Sequence, residues 1–572
     1  MLMNKISKLC VTGFSFAFVA LVSLAYFYFY AFQYSSSTTI LLVIGQVSMV
    51  LGFLCPVIGL VVSIVGVAQA RKNKMKGLPF GIIGIVISAI STALLLLGGL
   101  WLLFWLSIIS LFSGPSSDSS MPRYEVPETE SPWTTTETET EETWTEDDFE
   151  PQLLTYGSGP EKIELLTYTF NIPDMIEQYI RQNPEFGEKY TVECTFISTD
   201  HDYERVLDEA LANGGDQAPD IYVAESYFVY KYSQGEMAEY ASTYRDLGID
   251  VEKKIEEAEI APYTVEIGSR NGEVVALGYE GTGCAMIYNA EIARDAFGTD
   301  DPSEIEKITG AGTGNWDKFL DAAEILKSKG YAAVSGSSDI WQLYETTTDK
   351  AWVTDGQLDI SNDRLNYLNL AYWIKDNDYS NNNDSWSNGW FDDMSGEGEK
   401  KVFAFFGPVW FINYVMTINS GGDCVGEGTY GQWRVCRPPV GSYRSGCWIF
   451  ANKDTDQKEG VAELIEWITL DTSDTGLQYL WASGMIDGNQ EGVASGVVMA
   501  KANGVSDFCG GQNIYEIYIE CNNMPSGKYM TQYDEVINSY YKQAVDMYAN
   551  GDLTASEFFE YFENSVYDNV DF

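Results

Sequence analysis

Between Lys162 and the C terminus, the apolar residues follow two alternating periods. The runs KIELLTYTF, KYTVECTFIS and PDIYVA concentrate β-branched and aromatic residues and predict strands. IPDMIEQYIRQNP and DYERVLDEALANGG repeat apolar positions at helical spacing and stop at Pro and Gly, which predicts helices. Strands and helices alternating over short connections predict an α/β fold with a mostly parallel sheet. The alternation returns in NWDKFLDAAEILKSKG and YAAVSGS, and from Tyr533 onward DEVINSYYKQAVDMYANG and TASEFFEYFENSVYDNV predict two closing helices. One stretch stands apart. VVALGYEGTGCAMIYN, Val274 to Asn289, sets Tyr279 and Glu280 among glycines where two strand-like runs meet. Glycine permits unusual backbone angles and close approach of other groups. The stretch is either a hairpin turn or a crossover between two lobes that presents Tyr279 and Glu280 to a ligand.

The N-terminal pattern is different. Residues 10–32, 39–69 and 79–112 are apolar and uncharged, and each exceeds the roughly 20 residues that cross a bilayer. They predict a membrane domain over 1–112 with three transmembrane helices. The first run is too long for a signal-peptide core and lacks an A-x-A cleavage pattern. Lys5 and Lys8 precede it, and Arg71 to Lys76 lie between the second and third runs. Positive residues stay inside, so the N terminus is expected in the cytoplasm and everything after Phe112 outside the plasma membrane. No charge interrupts the runs, which argues against a transport path through them. Residues 113–160 are rich in Ser, Thr, Glu and Pro and poor in aliphatics; such a segment cannot bury a core and is expected to be a disordered stalk. Residues 161–572 are then the extracellular body.

Charge narrows the partners. The 572 residues carry a formal net charge of -49, and all 83 acidic residues lie from Asp118 onward. A surface this acidic excludes nucleic acid, whose phosphates need cationic neutralisation. The single His, His201, leaves little room for His-based triads or multi-His metal sites. Nine cysteines occur without a CxxC pair; Cys436 with Cys447, or Cys509 with Cys521, are possible disulfides, and buried free thiols are the alternative. DNDYSNNNDS offers many oxygens but lacks the central Gly and closing Glu of a calcium loop, so an Asx-rich turn is expected there. No metal or cofactor is expected.

Two resemblances follow from longer segments. GQVSMVLGFLCPVIGLVVSIVGVAQARKNKMKG and GIIGIVISAISTALLLL resemble a small Gly-rich two-helix membrane domain of unknown function found in Gram-positive bacteria. In the body, LLTYTF, APDIYVAESYFVYKYSQGEMAEY, GEVVALGYEGTGCAMIYNAEI, GNWDKFLDAAEILKSKG, KKVFAFFGPVWFINYV, GQWRVCRPPVGSYRSGCWIFANKDTDQKEGVAELIEWIT and DFCGGQNIYEIY resemble, in that order, segments of extracellular solute-binding proteins of the sugar-binding class, family 1, that serve ABC importers. The resemblance implies a bilobal periplasmic-binding-protein-like fold, with two α/β lobes joined by a hinge. Sugar sites set flat aromatic faces against C–H faces and carboxylates or amides against hydroxyls. On the matching positions, the implied ligand-binding residues are Tyr168 and Phe170 at the end of the first strand, Glu225 after PDIYVA, Tyr279 and Glu280 at the crossing, Trp410, Trp448 and Gln512; Trp341, after the Gly-Ser turn of GSSDIW, is a further ligand-binding candidate that could stack on a ring. Trp386 and Trp390 are candidates for a lid. The implied function is capture of a carbohydrate, an oligosaccharide by the number of aromatics, through lobe closure, with delivery to separate ABC permease subunits and no covalent chemistry. A sensor acting through a partner membrane protein and a non-sugar solute are the alternatives. A hydrolase has no support, because among 83 acidic residues a pair of carboxylates arises by chance.

Overall fold

The computed structural model describes residues 151–572, apart from 200, 201, 487 and 571. The three apolar runs of 1–112, the Ser/Thr/Glu/Pro-rich segment as far as residue 150, and His201 lie outside the described residues. Among the described residues, no helix is long and apolar enough to cross a membrane.

Two sheets organise the body. Their strands are β1 (Gln152–Gly157), β2 (Glu161–Thr167), β3 (Tyr190–Phe196), β4 (Ile221–Glu225), β5 (Ala276–Gly278), β6 (Ala285–Asn289), β7 (Ala404–Gly407), β8 (Trp433–Cys436) and β9 (Cys447–Ala451). The larger sheet has the order β1-β3-β2-β4-β9-β5 and the smaller β7-β6-β8. Only β2 with β3 and β2 with β4 pair in parallel. The remaining pairs of both sheets are antiparallel, so the architecture is mixed, not mostly parallel. The physical reason is the path of the chain: β9 re-enters the larger sheet from the other lobe, running against β4 and β5. YAAVSGS also falls short of a strand. It makes single bridges from Ala332 to Val402 and from Val334 to Ser380 before turning into the helix Ser337–Tyr344.

β4, β6, β7 and β9 are buried at every position but Glu225. A sheet covered on both faces replaces alternation with continuous apolar runs, as in IYVA, AMIYN, AFFG and CWIFA. Ile163, Val223 and Ile449 face one layer of the core, and Leu166, Tyr222 and Phe450 the other. The chain joins this sheet earlier than residue 161: β1 pairs with β3 from Gln152↔Phe196 to Gly157↔Thr191 as an exposed edge strand. The closing helices, Asp534–Asn550 and Ala555–Asn569, pack on each other, and the first of them packs on the helix Asn362–Asp376. A Thr554–Glu557 capping box starts the last helix.

The chain crosses between sheets at 279–284 and returns at 437–446. The two crossings pair antiparallel: the Cys284 amide donates to the Ser442 carbonyl at 2.9 Å and the Arg444 amide to the Thr282 carbonyl at 3.0 Å. VVALGYEGTGCAMIYN is therefore a lobe crossing, not a hairpin. Its glycines serve close approach, since neither Gly281 nor Gly283 has positive φ. A Cβ on Gly281 would lie 2.3 Å from the Val493 carbonyl oxygen, and one on Gly283 2.7 Å from the Asn522 nitrogen. Cys436 ends β8 and Cys447 opens β9, on different sheets. All seven described cysteines are free thiols, six of them buried.

Candidate functional site

Strand register gathers the site at one end of the larger sheet. β4 ends at Glu225, directly opposite Cys447 at the start of β9. Trp448 is opposite Gly278, so β5 delivers Tyr279 and Glu280 at the same end. β2, parallel to β4, ends there too and hands over Tyr168. Ligand groups gather at this carboxyl end in α/β sheets. From the other lobe, the helix Val409–Phe411 and the π-turn Ile412–Met416 contribute Trp410 and Tyr414. π-turns are frequent at functional sites.

These groups line an open cleft of about 400 Å³, walled by the rings of Tyr168, Trp410, Tyr414 and Trp481 and by the carboxyls of Glu225, Glu280 and Glu491. Ser445, on the returning crossing, donates to Glu225 at 2.9 Å. Asn413 donates to Glu491 at 3.1 Å. The Tyr168 hydroxyl lies 2.7 Å from the Cys447 thiol. Burial pushes Glu280 up to about 8, helped by Glu491 and then Glu225. Burial likewise pushes Glu225 up to about 7, against the Ser445 hydrogen bond, with Glu535 adding to the rise. Burial holds the Cys447 thiol well above its ordinary value, so it stays protonated. A small cavity lined in part by Tyr227, Glu345, Arg444 and Ser445 shares Ser445 with the first cavity and shares Tyr227 and Glu345 with another of about 490 Å³, which Trp341 also lines.

Of the residues expected from sequence, Tyr168, Glu225, Glu280 and Trp410 line the first cavity and Trp341 lines the second. The other four lie elsewhere. Phe170 is 49% exposed and stacks on Phe196 at 3.7 Å. Tyr279 is fully buried beside Trp481, its hydroxyl near the Cys447 thiol but without a hydrogen-bond partner of ordinary geometry. Strand alternation turns Trp448 under the helix Pro262–Ile267, where its indole donates to the Thr264 carbonyl at 2.9 Å. Gln512 brackets the backbone of Val435, accepting from its amide at 2.9 Å and donating to its carbonyl at 2.8 Å. Trp390 is buried and donates to Asp339 at 2.7 Å, whereas Trp386 is exposed. In the Asn-rich loop, Asn381 and Asn383 donate to Asp393 at 2.5 and 2.9 Å. No cluster among the described residues is arranged to hold a metal.

Sequence reasoning missed Tyr414, Ser445, Cys447, Trp481 and Glu491. Tyr414 lies one helical turn beyond Trp410 and Ser445 just before the Gly446–Trp448 stretch, so both were within reach. Trp481 and Glu491 arrive from a distant helix and loop that no local pattern ties to the cleft.

No protein-family model and no curated protein matches the chain. Solved structures do. A protein described as extracellular solute-binding protein family 1 superposes with a TM-score of 0.59 at 16% identity, covering 72% of this chain and 99% of its own. A sugar transporter from Rhizobium etli in an open conformation gives 0.51 at 16% identity, with 72% and 99% covered. An extracellular solute-binding protein family 1 from Alicyclobacillus acidocaldarius gives 0.50 at 12%, with 72% and 98% covered. At these identities the likeness is one of fold, and the described chain has the two-lobed α/β fold of these solute-binding proteins.

Proposed function

We propose that this chain is a membrane-tethered extracellular solute-binding protein that captures a carbohydrate, specifically an oligosaccharide, by lobe closure and delivers it to a separate ABC-type permease. The observation that carries the reading is the cavity at the paired crossings, with aromatic rings and carboxyls drawn from both lobes. Its volume and that of its neighbour fall within the roughly 300–1,000 Å³ of small-molecule sites. Two cavities set near one another along the crossings suit an extended chain of sugar units better than one ring. Hinge closure about a pair of crossing segments is an established motion of binding proteins. The tether rests on the three apolar runs of 1–112 and the permease on the fold likeness. No catalytic step is part of the proposal.

A glycan array probed with the labelled full-length chain tests it. Oligosaccharide binding that Trp410→Ala abolishes is the expected result. A folded chain that binds no glycan would overturn the reading.

A further inference from the structure

One residue of the Asn-rich loop holds a backbone that its side chain resists. Trp386 has φ +71°, in the left-handed region that a bulky side chain rarely enters. Both of its neighbours fix it there. The Ser385 amide donates to the Ser338 hydroxyl at 2.8 Å, and the Ser385 hydroxyl accepts from Gln342 at 2.8 Å. Ser387 caps the helix Asn388–Ser395, accepting from the Trp390 amide at 3.3 Å. The result is an indole that stays 43% exposed on a loop tied down at either side. Backbone strain persists where the surroundings over-determine it, and it gathers at ligand clamps.

What the indole is held against connects it to the cleft. Its ring centre lies 5.4 Å from that of Trp390 and 6.3 Å from that of Phe391. The Arg444 guanidinium lies 5.6 Å from the Trp386 ring centre and 5.4 Å from that of Trp410. Both distances fall within the roughly 6 Å over which a cation holds an aromatic face. Arg444 is itself fixed: it is buried and donates to Gln342 at 2.6 Å. Gln342 thus joins Arg444 to Ser385, so the returning crossing supports Trp386 as well as Trp410. Trp410 walls the first cleft. Trp386 packs on the residue next to Ser445, which that cleft and the small cavity share.

Resting on the sugar-binding reading above, we infer that Trp386 is a second, preformed stacking platform for the ligand, and that it selects trisaccharides and longer chains over disaccharides. An indole face packs against the C–H face of a pyranose. A tryptophan that serves packing alone is buried, as Trp390 is; Trp386 is held open at the cost of backbone strain. A platform fixed through its backbone has little ordering left to lose when a ligand arrives. A lid would need a loop free to move, and here Ser385 and Ser387 are both tied. Trp410 and Trp386 reach one guanidinium from separate elements, which gives each indole its own sugar unit along the chain.

The test is an array of neutral β-glucan, α-glucan, mannan and galactan chains, from disaccharide to hexasaccharide. It is probed with the labelled full-length chain in detergent, as wild type, Trp386→Ala, Trp386→Gly and Trp386→Phe. The inference expects wild type to bind the longer chains of one series at least about tenfold more tightly than the disaccharide of that series. Trp386→Ala and Trp386→Gly should each bring the longer chains down to the level of the disaccharide, and Trp386→Phe should keep most of the preference. A cooperative urea transition in every variant is the control for folding. The same titration reads the strain. Glycine adopts positive φ freely and alanine does not, so Trp386→Gly should unfold at a higher urea midpoint than Trp386→Ala. A length preference that Trp386→Ala leaves in place, or equal binding of short and long chains by wild type, would overturn the inference and leave the sugar-binding reading intact. A midpoint for Trp386→Gly no higher than that of Trp386→Ala would remove the strain and overturn it as well. A folded wild type that binds none of the chains would overturn the sugar-binding reading, and this inference with it.

Discussion

At the scale of single residues, two tryptophans separate function from stability. Trp410 is half-buried at the cavity wall. Trp410→Ala should weaken ligand binding tenfold or more and leave the urea midpoint nearly unchanged. Trp448 is 1% exposed and hydrogen-bonded through its indole. Trp448→Ala should cost about 3–5 kcal/mol of stability in denaturant titration. Glu280 gives a prediction in pH. Its carboxyl is raised from 4.5 to about 8 in the folded protein, so the folded state holds the proton more tightly than the unfolded chain. Its contribution to stability is complete below about 4.5 and is lost as pH rises toward about 8. Without added ligand, Glu280→Gln should raise Tm at pH 8 by roughly 2–4 °C, and the difference should vanish near pH 4. An equal Tm difference at both pH values would contradict the burial argument.

At the scale of elements, much of the fold was legible because local pattern and final environment agree. The strand and helix runs from Lys162 to PDIYVA form as their spacing predicts. The apolar runs AFFG and CWIFA are readable because both faces of their sheets are covered. Strand direction was not legible, since it depends on which lobe the chain returns from. A place on the cavity wall was readable where a strand end carries the residue there, as at Tyr168, Glu225 and Glu280. Trp448 and Tyr279 lie in the core beside the cavity, one step of alternation from its wall. The Gln512 amide substitutes for a strand edge against Val435, a pairing that no local pattern foretells. The Gly-rich crossing has its own consequence. Gly281→Ala would force a methyl to within 2.3 Å of the Val493 carbonyl oxygen, and overpacking of this kind costs about 1–3 kcal/mol. A lowered urea midpoint is expected; an unchanged one would mean that the crossing yields without cost.

At the scale of the molecule, two sheets, each with helices around it, meet at paired crossings, and the cavity lies where they meet. β1 belongs to this body. A fragment beginning at residue 161 lacks that edge strand and should melt below one beginning at residue 142 in scanning calorimetry. The central claim is that the ligand lies between the lobes, in the cavity that Trp410 walls. Its most direct test is titration calorimetry of the full-length chain with the tightest-binding glycan, for wild type, Trp410→Ala and Phe170→Ala side by side. Saturable one-to-one binding that Trp410→Ala removes and Phe170→Ala spares is the predicted result. Binding that survives Trp410→Ala unchanged would place the ligand elsewhere and contradict the account.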